Sequence, residues 1–310
     1  MSALRQHSEN NATRICSNTE RLRHLSSMCD TTSDDETGWN GRGRFLIDDK
    51  HKLFYCSVSK AGCTQFKAIM ETANTGDTKY LTQLHMVHTS TAMRAADIRL
   101  RTTYDSRFRD YTKVLLVRNP FDRALSAYRN LLVGMQNYGP GHNVYEHLQL
   151  LYPNSTTGGN KCDKLELSDY VQFITSPELS PESVYNDRHF KSIALSCGLC
   201  QIEYDYFLRL ETFSTDIIPI LEHLGLPPDF LDSIPAVNKA KAAPSSQENV
   251  DDSVTSFSNQ LPEFKNVSLY NMDLIASRYR FDMDFLGYHM HNDNQVASCS
   301  LRAENGEICC

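Results

Sequence analysis

Two junctions of the same kind constrain the fold more than anything else in this chain. Each is an apolar run that passes directly into a polar turn and then into a helix-like segment. The first is "KLFYCSVSKAGCTQFK", residues 52–67, and the second is "KVLLVRNPFDRALSAYR", residues 113–129. In the second, four apolar residues stand in a row between Lys113 and Pro120. A run so short and so apolar reads as a strand buried on both faces, as in a parallel sheet. Pro120 suits the first turn of a following helix. After the first turn, "TQFKAIMET" carries Phe66, Ile69 and Met70 at helical spacing. Two such junctions in one sheet place both turns beyond the carboxyl ends of strands, where open α/β sheets bind ligands.

The remaining segments fit that frame. "RFLIDDKHKLFYCSV" reads as two strands joined at Asp48-Asp49-Lys50. Residues 90–110 are rich in arginine, lack proline and read as a helix. Residues 135–166 form a long excursion, and "LSDYVQFITS" a helix opened by Ser168. "YDYFLRLET" reads as a strand, and "TDIIPILEHLGLP" as a helix ended by Gly225 and Pro227. A last helix covers "LYNMDLIASRYRFDMDFLGY". The expected organisation is a polar tail or spacer over 1–43, one domain over 44–290 with a low-complexity loop at about 236–260, and a tail over 291–310. Strands alternating with helices predict an α/β protein with a mostly parallel central sheet flanked by helices.

Composition excludes several classes. With 310 residues, 40% hydrophobic and 22% charged, the chain is expected to be globular with an ample core. A formal charge of −7 argues against a nucleic-acid-binding protein. No apolar run reaches the length of a membrane span, and the start, "MSALRQHSENNATRICSN", has no apolar signal region. The protein is therefore either cytosolic or anchored by a segment outside this sequence. Ten cysteines and sequons at Asn11, Asn154 and Asn266 favour an oxidising lumen.

The turns suit an anion. Lys60 is a point charge, Gly62 lets the backbone approach closely, and a helix N-terminus offers free N–H groups. Thr64 can cap that helix or donate its hydroxyl. Arg118 offers a forked donor set fit for phosphate. Ser126 lies two turns into the second helix, within reach if that helix lies along the ligand. The bland alternatives are a solvated turn lysine and an arginine that ends a strand and pairs with a carboxylate. The first turn lacks the G-x-x-x-x-G-K-[ST] spacing of nucleotide triphosphatases, and no acidic Mg²⁺-holding motif is evident, which disfavours a P-loop kinase.

Taken together, the two turns resemble those of the Golgi carbohydrate sulfotransferases, the group of chondroitin, dermatan and N-acetylgalactosamine 4-O-sulfotransferases and the HNK-1 sulfotransferase. The family loops P-K-x-[GA]-C-T-x-W-K and V-R-[DE]-P-x-x-R-L-x-S-A-[YF]-R look like "SKAGCTQFK" and "VRNPFDRALSAYR". Further on, "NDRHFKSIALSCGLCQIEYDYFLRLET" and "YRFDMDFLGY" are similar to two later family blocks, in the same order, from about 45 to 290. Ser59 replaces a proline, Phe66 and Phe190 replace tryptophans, Asn119 stands where an acid is usual, and Gly198-Leu199 replaces x-Pro.

The resemblance implies a P-loop-like sulfotransferase fold and a 3′-phosphoadenosine 5′-phosphosulfate (PAPS) donor, leaving PAP, with no metal required. The donor-binding residues it implies are Lys60, Ala61, Gly62, Cys63, Thr64, Gln65, Lys67, Arg118 and Ser126. Lys60 would neutralise the leaving oxygens, N–H groups from Gly62 to Gln65 would cradle the 5′-phosphate, and Arg118 and Ser126 would bind the 3′-phosphate. Lys67 either adds charge near the site or is a solvated helix lysine. Cys63 packs and is not a nucleophile. A sugar hydroxyl needs a base within hydrogen-bond reach. His88, between the two loops, is the first candidate, with His85 and His189 behind it. "CGLC" lacks a second CxxC for a zinc site, and the resemblance makes Cys197 and Cys200 structural, in disulfides. Residues 94–109 carry five arginines that either line an anionic acceptor groove or form a solvated helix face. The function implied is sulfuryl transfer from PAPS to a sugar hydroxyl of a glycan or glycosaminoglycan. The alternative is a non-catalytic relative that binds PAP or glycan. Family members are expected in the Golgi lumen or membrane. This chain has no spanning segment, so a soluble luminal or secreted form is also expected.

Overall fold

The computed structural model describes residues 16–33, 39, 42–88, 94–99, 108–129, 144, 148, 150–152, 166–176, 187–233, 267–290 and 296–298. Asp48 sets the first hairpin. Its Oδ1 accepts the backbone N–H of Lys50 at 3.0 Å and of His51 at 3.1 Å, the side-chain-to-backbone bonding that favours Asp in turns. Strands β1 (Arg42–Asp48) and β2 (Leu53–Cys56) therefore pair antiparallel, with Leu46 opposite Tyr55 and Ile47 opposite Phe54. Asp48 Oδ2 also accepts from Asn74 Nδ2 at 2.6 Å, which ties the hairpin to the helix that follows β2.

With β3 (Arg94–Arg99), β4 (Thr112–Val117) and β5 (Tyr206–Arg209), the sheet order is β3-β1-β2-β4-β5. β2 pairs parallel with β4, and β4 with β5, while β1 is antiparallel to both its neighbours. All strands but β1 thus run one way. Alternate residues feed two cores. Phe45, Ile47, Phe54, Leu115, Val117 and Phe207 face one. Leu46, Tyr55, Val114, Leu116 and Leu208 face the other, against Phe66, Ile69 and Met70 of the helix after β2. The apolar run of β4 is fully buried, as expected for a central parallel strand.

Several expectations need correction. The arginine-rich segment is not helical at 94–99 but supplies the edge strand β3. There the open edge of β1 offers a ladder of hydrogen bonds that outweighs local preference. Residues 18–30, expected within a spacer, form helix α1 (Asn18–Asp30). Ser17 caps it, with Glu20 completing a capping box. α1 docks on the domain through a buried Arg21, whose guanidinium donates to Phe207 O at 3.0 Å and pairs with Asp216. Three residues of the expected C-terminal tail form β7 (Val296–Ser298), paired with β6 (Tyr288–Met290).

Ser168 does not open its helix, which runs over Leu167–Ile174 with Glu166 at the cap position. The last helix is two, Leu269–Arg278 and Arg280–Leu286, broken at Tyr279. Tyr279 is held there by its hydroxyl, which donates to Phe190 O at 2.7 Å. The segment before Gly225 is likewise two short helices, Phe213–Asp216 and Ile218–His223, with Pro219 near the start of the second.

Disulfides join Cys29 to Cys200 and Cys56 to Cys197, so both cysteines of "CGLC" are cross-linked, as expected. Cys16 is disulfide-bonded to a residue outside the described part, and Cys63 is the free cysteine among the described residues. The three sequons, residues 236–260, most of 135–166 and the cysteines at 162, 299, 309 and 310 lie outside the described residues. Among the described residues no helix is long and apolar enough to cross a membrane.

Candidate active site

β2 and β4 are parallel neighbours, so the turns leaving their carboxyl ends lie side by side. After β2 the chain reverses through Lys60 at φ +67° and Gly62 at φ +79°. A Cβ at Gly62 would fall 2.8 Å from Leu210 Cδ1, and its φ is left-handed, so glycine is required here. Lys60 adopts the left-handed region with a full side chain, a state that costs about 1 kcal/mol or more and must be held by its surroundings. Two arginines from the second junction hold it. Arg118 Nη1 donates to Lys60 O at 3.4 Å, and Arg123 Nε donates to Ser59 O at 3.0 Å.

Helix α2 (Cys63–Thr75) then starts with Gly62 as its N-cap and no side-chain cap. Thr64 lies inside the first turn and does not cap it. The first-turn N–H groups of Cys63, Thr64 and Gln65 therefore have no intrahelical partner and lie at the positive end of the helix dipole, a place that favours an anion. The first intrahelical bond is Phe66 N to Gly62 O at 3.1 Å.

The second junction is built around Asn119. Its Oδ1 caps helix α3 (Pro120–Ala127) by accepting from Phe121 N at 2.9 Å and Asp122 N at 3.4 Å. Its own N–H donates to Glu211 Oε1 at 2.6 Å, and Glu211 Oε2 accepts from Tyr288 OH at 3.1 Å. The turn after β5 thus locks the turn after β4. Asp122 and Ser126 stand four apart on one face of α3. Asp122 is 7% exposed, and its Oδ1 has no hydrogen-bond partner. Burial pushes its carboxyl up to about 6; Arg118 pulls it down, Glu211 pushes it further up, and Arg129 pulls it down. Ser126 is half-buried.

Burial also lowers the Lys60 ammonium, the Cys63 thiol works against that shift, and Arg118 adds to it. Lys67 is not a solvated lysine: it is 4% exposed. Its ammonium is lowered first by burial, with Cys63 opposing and Arg44 and Arg188 adding. Cys63 packs against the α2-side core, as expected.

His85 and His88 fall in one 3-10 turn, Leu84–His88, that packs against α2; their side chains lie outside the described part. His189 is half-buried, with Nδ1 2.5 Å from Asp187 Oδ1. The carbonyl of its neighbour Arg188 accepts from Arg123 Nη2 at 3.4 Å. One buried guanidinium therefore holds both the turn after β2 and the turn that carries His189. Arg123 and Glu211 were given no role from the sequence, although both sit inside the quoted motifs; a charged residue at each of those motif positions was the available signal.

The departures from the family pattern fall on supporting positions. Phe66 packs against Tyr55 at a tilt of 42° with centroids 4.3 Å apart, and Phe190 packs edge-on to Phe173 at 5.9 Å. Asn119 keeps the capping role without a charge. Ser59 is held through its carbonyl by Arg123. Gly198 takes φ +57° beneath Trp39, where a Cβ would lie 2.7 Å from the indole.

Known proteins resemble this chain in sequence. The chain is 25% identical over 261 residues to carbohydrate sulfotransferase 11 of Mus musculus, covering 82% of this chain and 69% of that protein. It is 27% identical over 195 residues to carbohydrate sulfotransferase 9 of Homo sapiens, covering 59% of this chain and 41% of that protein. Carbohydrate sulfotransferase 12 of Mus musculus is 26% identical over 201 residues, 58% of this chain and 48% of that protein. No solved structure matches. The model of the sulfotransferase family matches residues 43–289, which covers the turns after β2 and β4, and the chain belongs to that family.

Proposed function

We propose that this sulfotransferase moves the sulfuryl group of PAPS to a sugar hydroxyl of a glycan or glycosaminoglycan. One observation carries the reading: a lysine turn before an uncapped helix N-terminus is clamped by Arg118 and Arg123 of the neighbouring parallel junction. PAPS supplies an activated sulfuryl group and carries two phosphate positions, and the two junctions offer two anion sites. N–H groups from Gly62 to Gln65 and the neighbouring Ala61 cradle the 5′-phosphate. Lys60 neutralises the charge that grows on the leaving oxygen as the S–O bond breaks. Arg118 and Ser126 hold the 3′-phosphate. Lys67 adds positive field beside the transferred group.

The acceptor proton goes to a histidine as the new S–O bond forms. His88, close after α2, is the leading base, with His85 and His189 the other candidates. The Asp187 contact gives His189 the carboxylate partner that orients a general base. A non-catalytic relative is the second reading, but Ser59, Asn119, Phe66 and Phe190 are packing, capping or backbone-held positions, which supports a competent site. A Golgi lumen fits the cross-linked cysteines, which persist in oxidising compartments.

The test is transfer of radiolabelled sulfate from PAPS to desulfated chondroitin, dermatan, heparan and N-acetylgalactosamine-terminated glycans. Labelled product that is suppressed by added PAP is expected. PAP binding with no labelled product on any acceptor would favour the second reading.

A further inference from the structure

Asp122 is a buried carboxyl that the fold leaves unsatisfied. It is 7% exposed, and its Oδ1 has no hydrogen-bond partner. Orphaned buried oxygens are rare in folded proteins, because nothing replaces the hydration they lose. The donors around this one are engaged elsewhere. The N–H groups of Phe121 and Asp122 donate to Asn119 Oδ1. The Asn119 N–H and the Tyr288 hydroxyl of β6 donate to the two oxygens of Glu211. Arg118 Nη1 donates to Lys60 O. Three charged groups act on the carboxyl: Arg118 from the end of β4, Glu211 from the turn after β5, and Arg129 just beyond α3.

The place of Asp122 in the helix suggests what supplies the missing bond. Ser126 lies one turn further along the same face, and Arg129 a second turn. Exposure rises along this face, from buried Asp122 through half-buried Ser126 to exposed Arg129. The two residues proposed for the 3′-phosphate, Arg118 and Ser126, therefore precede and follow Asp122 within one junction. A phosphate monoester brings up to two negative charges and three acceptor oxygens. An ionised carboxyl beside it repels it, whereas a protonated one donates a hydrogen bond to it. Burial already lifts the Asp122 carboxyl to about 6, against the pull of Arg118 and Arg129. A phosphate at its side would lift it further.

Resting on the proposed PAPS site, we infer that Asp122 binds the donor's 3′-phosphate as a neutral acid, its O–H donating to a phosphate oxygen, so that donor and proton bind together. The proton enters from solvent as the donor binds and returns to it when PAP leaves; no covalent bond other than this O–H changes. Arg118, Ser126 and Asp122 then offer one donor group to each of three phosphate oxygens, and donor affinity gains as pH falls from 7.5 towards 6.

Calorimetric titration of PAP onto the unaltered protein, Asp122→Asn and Asp122→Ala at pH 5.5 and 7.5 tests this. Phosphate itself titrates at about pH 6, so each variant is read as a ratio to the unaltered protein at the same pH. Asp122→Asn carries a permanent donor. It should match the unaltered protein at pH 5.5 and bind PAP about tenfold or more tightly at pH 7.5, where only about 3% of a group with a pKa of about 6 is protonated. Asp122→Ala has neither charge nor donor, and should bind PAP about tenfold more weakly than Asp122→Asn at both pH values, the scale of one charged hydrogen bond. Comparing buffers of different ionisation enthalpy at pH 7.5, the unaltered protein should take up roughly 0.5–1 proton more than Asp122→Asn. Adenosine 5′-phosphate, which lacks the 3′-phosphate, should give the same ratios at both pH values; a general loss of fold would weaken it as well. Equal PAP ratios at the two pH values overturn the inference, as do equal affinities of the Asn and Ala variants or a pH-dependent ratio for adenosine 5′-phosphate. Failure of all three proteins to bind PAP rejects the PAPS reading itself, whereas PAP binding with flat ratios rejects only the role of Asp122.

Discussion

Lys60 is the residue on which the proposed chemistry most depends. It combines a left-handed backbone, partial burial and a carbonyl held by Arg118. Replacing it removes charge stabilisation at the leaving group, so Lys60→Ala should lower kcat by about 10²–10³-fold. PAP affinity should fall much less, because the N–H cradle and Arg118 remain; steady-state kinetics and PAP titration check both.

Asp122 gives a pH prediction with a definite sign. Its folded-state pKa, about 6, lies above the ordinary value of 3.8, so the folded protein keeps a proton that the unfolded chain releases. The associated stability is present at low pH and is lost as pH rises through about 6. Asp122→Asn should therefore raise Tm at pH 7.5 and lose that advantage towards pH 4.5. The gain at pH 7.5 is at most about 3 kcal/mol, two pKa units. Thermal melts at the two pH values measure it.

For the base, His88→Ala should abolish transfer while PAP binding survives. Near-normal turnover in that variant, with loss in His189→Ala and in Asp187→Asn, would move the role to His189. Sequence could place Lys60, Gly62 and Arg118 in turns at strand ends, because such turns announce themselves by residue type. It could not single out a base, because which histidine faces an acceptor is set by tertiary contact.

At the scale of elements, the disulfides hold the site from outside. Cys56 ends β2, immediately before the turn that carries Lys60, and its bridge to Cys197 spans 141 residues; that of Cys29 to Cys200 spans 171. Loops of that length contribute about 4 kcal/mol or more each in the chain-entropy account. Reduction of both should therefore lower Tm by roughly 10 °C or more. Cys56→Ser with Cys197→Ser should also weaken PAP binding, whereas Cys29→Ser with Cys200→Ser should mainly loosen α1; calorimetry and PAP titration of the two pairs check this.

The elements that sequence misjudged share a cause. "NTERLRHLSSMCD" has few strong apolar positions, and α1 is fixed instead by a buried arginine and a disulfide to residues far along the chain. "RAADIR" contains good helix formers but is recruited to the edge of β1. The break at Tyr279 depends on a hydroxyl reaching Phe190. By contrast, β4 and the start of α3 were legible because their signals are local: an unbroken apolar run, then Asn-Pro.

Across the whole molecule, Arg123 joins the parts. It binds the carbonyls of Ser59, Arg188 and Lys191, and it lies 3.9 Å from Asp282 of the last helix. Asp282 in turn accepts from Ser192 Oγ at 2.6 Å, Ile193 N at 2.8 Å and Ala194 N at 2.9 Å. Burial raises its pKa, and Arg123 is the first of the groups that oppose this. Arg123→Ala should cost about 3–5 kcal/mol, since it leaves a buried carboxylate without its counter-charge. It should also lower transfer at temperatures where the variant remains folded. Denaturant unfolding and activity at 20 °C separate the two effects.

The sulfotransferase reading joins this network to one reaction, and the most direct test of it is transfer itself. Purified protein and its Lys60→Ala variant are incubated with radiolabelled PAPS and the desulfated glycan panel. The account predicts label in a glycan product with the unaltered protein, suppression by PAP, and loss of nearly all label in the variant. Equal labelling by the two proteins, or no label in any glycan despite PAP binding, would contradict it.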